Sequence, residues 1–294
     1  MVKKIAVIQD LSGFGKCSLT AAIPVISVMG VQPCPLPTAI LSAQTGYPSY
    51  YLDDYTDKME YIRSEWEKLG AHFDGIYTGF VASEAQIDRI FDFLDTFRKE
   101  DTFLLVDPVM GDDGVKYDMF TDGLLEKMKE LACQADVLTP NLTELCLLTE
   151  ADYETVCSLP GELKIEIIHQ MANSLVEKGV KNILVTGIHL TENGEQKIGN
   201  LIIAEEQCEL TAFPYIGGSY SGTGDIFASI IAGGMVRGDS LRDLCVLAGR
   251  FVEAAMRDSA ADQVETVAGT EFERHLGMLL PKNITSDWCK EIVS

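Results

Sequence analysis

The chain has 294 residues, with 23 Lys and Arg against 45 Asp and Glu, so its formal charge is −22; 47% of it is apolar. A charge this negative excludes nucleic acid and an anionic membrane as partners, and any phosphate ligand must be held by local N–H groups and cations. The first ten residues hold only four apolar side chains in a row, too few for a signal peptide, and no run reaches membrane-spanning length. The eight cysteines (Cys17, Cys34, Cys133, Cys146, Cys157, Cys208, Cys245 and Cys289) include no Cys-x-x-Cys pair. They are expected to be reduced, mostly core thiols of a cytoplasmic protein.

Lys4–Ile8 reads as a short strand that empties into the polar turn Gln9–Lys16. Ser18–Met29 reads as a helix disturbed by Pro24 and closed by Gly30. A strand, a Gly-rich loop and a helix invite a nucleotide motif, and both stock versions fail. After Gly13-Phe14-Gly15 a dinucleotide fingerprint needs Gly where Ser18 stands; around Gly15-Lys16 a P-loop needs Gly at Asp10 and Ser or Thr at Cys17.

Val31–Ile40 is interrupted by prolines and is expected to be a short edge strand. A polar and aromatic loop with Thr45 and Gly46 follows. Helices are expected over Tyr55–Leu69, Glu84–Arg98, Gly123–Cys133 and Ile165–Lys178, and strands over Gly75–Thr78, Thr102–Val106, Asp136–Leu138 and Asn182–Val185. Two further β runs, Lys197–Ala204 and Gln207–Phe213, precede helices over Asp225–Val236 and Leu241–Asp258. Strands and helices alternate without a linker, which predicts one α/β domain over 1–294: three α/β/α layers around a mostly parallel central sheet.

In such sheets ligands bind beyond the carboxyl ends of the strands. The polar clusters fall there: Asp10 with Ser12, Thr45, Gly79 with Phe80, Asp107 with Asp112, Asn141 with Glu144, Thr186, and Asp225. Gly217-Gly218-Ser219-Tyr220-Ser221-Gly222-Thr223-Gly224-Asp225 leads straight into an apolar helix. Its glycines let backbone N–H groups face a ligand at a helix N-terminus, which makes an anion hole. Asp225 beside that hole points to a general base for the nucleophile that attacks the anion. The bland alternative is a helix cap behind a flexible loop. Asp107–Gly114 carries three carboxylates in eight residues, a density that suits Mg²⁺ held partly through water, or only a solvated turn. For Asn141 and Glu144 the competing reading is a capping box. The four histidines lie outside every cluster, which argues against a His-based zinc site or a Ser-His-Asp triad.

With Asp107-Pro108-Val109-Met110-Gly111, Thr139-Pro140-Asn141-x-x-Glu144 and Gly222-Thr223-Gly224-Asp225 in this order, the chain resembles the ribokinase-like superfamily and, within it, the pyridoxal kinases. The resemblance implies ATP-dependent phosphorylation of the 5′-hydroxymethyl group of a B6 vitamer. It implies that Asp225 is the base, and that Gly222, Thr223 and Gly224 surround the transferring phosphoryl group. Ser12 and Thr45 would bond the pyridine ring and its 3-hydroxyl, with Phe80 stacked where relatives often have Tyr. Asp107, Asn141 and Glu144 match the phosphate and metal region, Asp107 and Glu144 being the metal candidates, and Thr186 matches a phosphate contact. Asp112 and Tyr117 fall in a flap over ATP, and Ile216 and Gly217 are candidates for adenine. Mg²⁺, a monovalent cation (K⁺ or Na⁺) and a homodimer are further implications. Gly46 replaces a Gln found in some relatives, and the loop from Asp10 lacks a histidine many carry. The rival branch is the hydroxymethylpyrimidine (phosphate) kinases, which usually end the glycine loop in Cys where this chain has Asp225. A ligand-sensing module without chemistry is the non-enzyme alternative.

Overall fold

The computed structural model describes residues 2–204 and 207–281; Cys289 lies outside them. In chain order the elements are β1 (Lys4–Ser12), α1 (Ser18–Val28), β2 (Gln32–Leu41), β3 (Leu52–Asp54), α2 (Thr56–Lys68), β4 (Gly75–Thr78) and α3 (Glu84–Phe97). They continue with β5 (Phe103–Val106), a hairpin of β6 (Gly111–Asp112) and β7 (Val115–Lys116), α4 (Asp122–Ala132), β8 (Val137–Leu138), α5 (Leu142–Thr149), α6 (Tyr153–Cys157) and α7 (Gly161–Val176). Last come β9 (Asn182–Glu192), β10 (Glu195–Ala204), β11 (Gln207–Pro214), α8 (Thr223–Arg237) and α9 (Leu241–Ala261).

Nine strands form one sheet in the order β11-β10-β9-β8-β5-β4-β1-β2-β3. From β2 to β9 neighbours run parallel, while β3, β10 and β11 attach antiparallel. The period-two alternation of each strand feeds two cores. Ala6, Ile8, Ile76, Leu104 and Val106 face α3, α4, α5 and α7; Ile5, Val7, Tyr77 and Leu105 face α1, α8 and α9. Helices therefore cover both faces, as the alternating pattern predicts. Strand order reverses between β1 and β4, and that switch point is where an open α/β sheet leaves a crevice at its carboxyl end.

The Pro-rich segment departs from expectation. β2 is ten residues long and lies second from the edge, with three-residue β3 outside it. Gln32 N–H donates to Lys3 O at 2.9 Å, so even-numbered residues of the first half turn their N–H toward β1. Pro33, Pro35 and Pro37 therefore place their missing donors on the outer side, where β3 pairs only with Ala39, Ile40 and Leu41. Helix α1 runs through Pro24 and is followed by Gly30 at φ 82°. Three cysteines (Cys17, Cys146 and Cys245) are buried, three are half-buried and Cys208 is exposed, so the thiols are less uniformly core than expected; all seven are free.

Candidate active site

Helix α8 begins without a side-chain cap. Gly222 occupies the N-cap position at φ 79°, and the first intrahelical bond is Ile226 N–H to Gly222 O. The N–H groups of Thr223, Gly224 and Asp225 precede that bond and open toward the cavity, where the helix dipole is positive. Gly222 is required there: a Cβ would lie 2.0 Å from Lys16 O. Gly224 is different, since a Cβ would meet nothing within 4 Å and its φ is not left-handed. Its missing side chain leaves room beside the N–H groups without any demand from the fold.

Asp225 lies between Asp10 and Asp107. Burial, then the Asp107 charge, push its carboxyl up to about 8, with Asp10 adding and a hydrogen bond from the Ser18 backbone opposing. Asp107 is pushed up to about 7 by burial, against the Thr139 hydroxyl that donates to it at 2.9 Å. Burial also raises Asp10, which accepts from Ser12 Oγ at 2.7 Å. Glu144 is raised by burial and then by Asp107, while the N–H groups of Asn141 and Met110 oppose the shift.

The capping box at α5 is real. Asn141 Oδ1 accepts from Glu144 N–H at 2.9 Å, and Glu144 Oε2 accepts from Asn141 N–H at 2.8 Å. The other Glu144 oxygen accepts from Met110 N–H at 3.2 Å, and Asn141 Nδ2 donates to Gly111 O at 2.8 Å. Both residues thus anchor the root of the β6–β7 hairpin. Asp113 and Gly114 turn that hairpin at φ 48° and 82°, so Asp113 is a turn residue that also lines the cavity. Asp-Gly is the pair such turns favour, and that signal was in the sequence.

One cavity of about 880 Å³ collects these residues. Ser12, Thr45, Phe80, Asp107, Asp112, Tyr117, Asn141, Glu144, Thr186, Ile216 and Gly222–Asp225 all line it; Gly217 does not, and Gly218 does. Thr186 lies within β9, not at its end, bridged to Asn141. His189 also lines the cavity, packed edge-on at 5.0 Å against Tyr215, so the histidines are not all remote from the site. Gln44, which belongs to no sequence motif, lies beside Thr45 on the same wall. Eight Asp and Glu side chains line the cavity and, among the described residues, no Lys or Arg. Among the described residues, no three His, Cys, Asp or Glu side chains form a ready metal-ligand set. Buried carboxylates without a cationic neighbour nevertheless fit a hard, partly hydrated cation held jointly with a phosphate ligand.

The phosphomethylpyrimidine kinase family matches this chain over residues 15–270. A Bacteroides thetaiotaomicron protein, provisionally assigned as a phosphomethylpyrimidine kinase and crystallised with pyridoxal, is 37% identical, with a TM-score of 0.87 over 95% of this chain and 96% of that one. Pyridoxal kinase from Lactobacillus plantarum is 28% identical, with a TM-score of 0.84 over 97% and 99% of the two chains. A Schizosaccharomyces pombe protein provisionally assigned as a pyridoxal kinase is 29% identical over 171 residues, 55% of this chain and 46% of that protein, so the match spans less than half of that relative. The chain belongs to the phosphomethylpyrimidine kinase family, has the ribokinase-like fold, and is an ATP-dependent small-molecule kinase.

Proposed function

We propose that the chain transfers the γ-phosphoryl group of ATP to the 5′-hydroxymethyl group of a B6 vitamer. The observation that carries this reading is the half-buried Asp225 carboxyl group on the open first turn of α8. An alcohol is far less acidic than a carboxyl group, so Asp225, in its ionised form, orients the hydroxyl and takes its proton late, as the new P–O bond forms. A carboxyl held near 8 in the free chain gains that form as pH rises or as a cation binds beside Asp107. The N–H groups of Thr223, Gly224 and Asp225 face the charge that spreads over the equatorial oxygens. Ser12 gives its proton to Asp10, which leaves its oxygen lone pairs to accept from the 3-hydroxyl or a protonated ring nitrogen. Thr45 and Phe80 complete the ring end of the cavity, and Asp112, Tyr117, Asn141, Thr186 and Ile216 the nucleotide end.

Asp107 and Glu144 would hold Mg²⁺, Glu144 mostly through water because both its oxygens already accept backbone N–H groups. Bound there, Mg²⁺ would supply positive charge to phosphates, which no Lys or Arg among the described residues of the wall provides. A monovalent cation, a homodimer and a cytoplasmic location belong to the same reading. The two structural relatives support the vitamer as substrate, one crystallised with pyridoxal and one a pyridoxal kinase. The family description, phosphomethylpyrimidine kinase, keeps a second acceptor class in view, a hydroxymethylpyrimidine or its phosphate.

The test is ADP formation by purified protein with Mg²⁺–ATP, offering pyridoxal, pyridoxine and hydroxymethylpyrimidine in parallel. The expected result is turnover with the two vitamers above that with the pyrimidine. Preference for the pyrimidine would reverse the substrate assignment and keep the chemistry. No ADP with any acceptor would sink the reading.

A further inference from the structure

Three segments cross the anion loop 217–225: 13–16, 42–46, and the 3₁₀ turn Thr266–Ala268 with Gly269. Gln44 sits at the crossing. Its side-chain nitrogen donates to Ser221 Oγ at 3.1 Å and to Val267 O at 3.0 Å, and its Oε1 accepts from Gly46 N–H at 2.7 Å. A carbonyl can only accept and an N–H can only donate, so these partners fix which way the amide points. The Gln44 backbone N–H donates to Phe14 O at 2.9 Å, Lys16 N–H to Ala268 O at 3.3 Å, and Ser221 N–H to Thr266 O at 3.0 Å.

The crossing has no slack. A Cβ on Gly15 would lie 2.4 Å from Gln44 Cγ, and one on Gly46 would lie 2.9 Å from Gln44 Nε2. Thr45, at the ring end, is the next residue after Gln44; Gly222, which starts the anion hole, is the next residue after Ser221. One side chain thus ties the loop that meets the acceptor to the loop that meets the phosphoryl group. We propose that Gln44 is a positioning residue, a clasp that holds the acceptor alcohol in line with Asp225 and the first turn of α8. The inference rests on the phosphoryl-transfer reading of Gly222–Asp225. In-line transfer depends steeply on alignment, and a misplacement of about 1 Å can cost on the order of 10²-fold in rate.

The experiment uses the full chain and whichever acceptor gives the most ADP. Gln44→Ala is expected to lower kcat about 10- to 100-fold with the KM for ATP changed less than about twofold. Gln44→Glu keeps the size and the acceptor for Gly46 but cannot donate to Ser221 or Val267, so it should lose a similar factor; it also serves if the alanine variant folds poorly. In a double-mutant cycle, Gln44→Ala with Ser221→Ala should lose less than the product of the single losses. An active wild type with multiplicative variants, or with Gln44→Glu at wild-type kcat, overturns the clasp alone. Loss that tracks only the folded fraction, with the kinetic constants of the folded protein unchanged, also overturns it. A wild type that makes no ADP with any acceptor overturns the phosphoryl reading and the clasp with it.

Discussion

Two helix N-termini face the same cavity and are finished in opposite ways. Helix α5 is closed by a reciprocal box, Asn141 and Glu144 each capping the other's backbone. Helix α8 has no side-chain cap, a left-handed glycine at its start and an acid in its first turn. Unmet N–H groups at a helix end cost stability unless something occupies them. The open end at α8 is where the proposed reading puts the transferring phosphoryl group. The closed end holds the wall in place.

Substitutions at the two ends should break this contrast in different currencies. Asp225→Asn should lower kcat by about 10²–10⁴ with little change in ATP affinity, read by steady-state ADP formation; near wild-type turnover would remove Asp225 from the base role. The two glycines should then part company. Gly222→Ala meets Lys16 O and a left-handed φ, so it should lose activity and about 2 kcal/mol or more of stability in denaturant unfolding. Gly224→Ala has open space and ordinary helical geometry, so activity should fall about tenfold while Tm holds or rises slightly. A Gly224→Ala protein with full activity would show that the space is not for a ligand.

The stability cost of the open end should depend on pH. Asp225 is held near 8 in the folded chain against an ordinary value of 3.8, so between those values the folded protein binds more protons than the unfolded one. Its contribution then falls as pH rises through that window. Asparagine cannot ionise, so without nucleotide or metal the Tm of Asp225→Asn relative to wild type should climb from pH 5 to pH 8. A constant difference would contradict the burial argument. The smallest effect is expected at the closed end: Asn141→Ala should cost about 1–2 kcal/mol of stability, the usual range for a lost cap with one further hydrogen bond.

Much of this was legible in the chain because it is local. Apolar runs such as Phe103–Val106 mark buried parallel strands, and the string Gly222–Asp225 carries its own conformational demand. The parts that were not legible depend on distant neighbours. Asn141 and Glu144 fit either a cap or a site by spacing alone, and only the contacts to Met110 and Gly111 show them holding a hairpin root. Gln44 bonds to residues 177 and 223 positions away, for which no sequence period exists. His189 and Tyr215 meet on the cavity wall only because β9 and β11 flank β10. The place of β2 one strand in from the edge is equally non-local: a proline costs a donor only on the side its N–H would face, and that side depends on the pairing with β1.

That same row of prolines has a consequence for how the protein meets its own copies. An exposed sheet edge with free donors is a template for another chain to extend, the first step toward fibrous aggregation. Here the outer side of β2 offers none at Pro33, Pro35 or Pro37, and β3 shields only the last three residues. Along that stretch an incoming strand would find alternate rungs missing. Self-association on this flank must therefore proceed through side chains, which are selective, and not through backbone pairing, which is not.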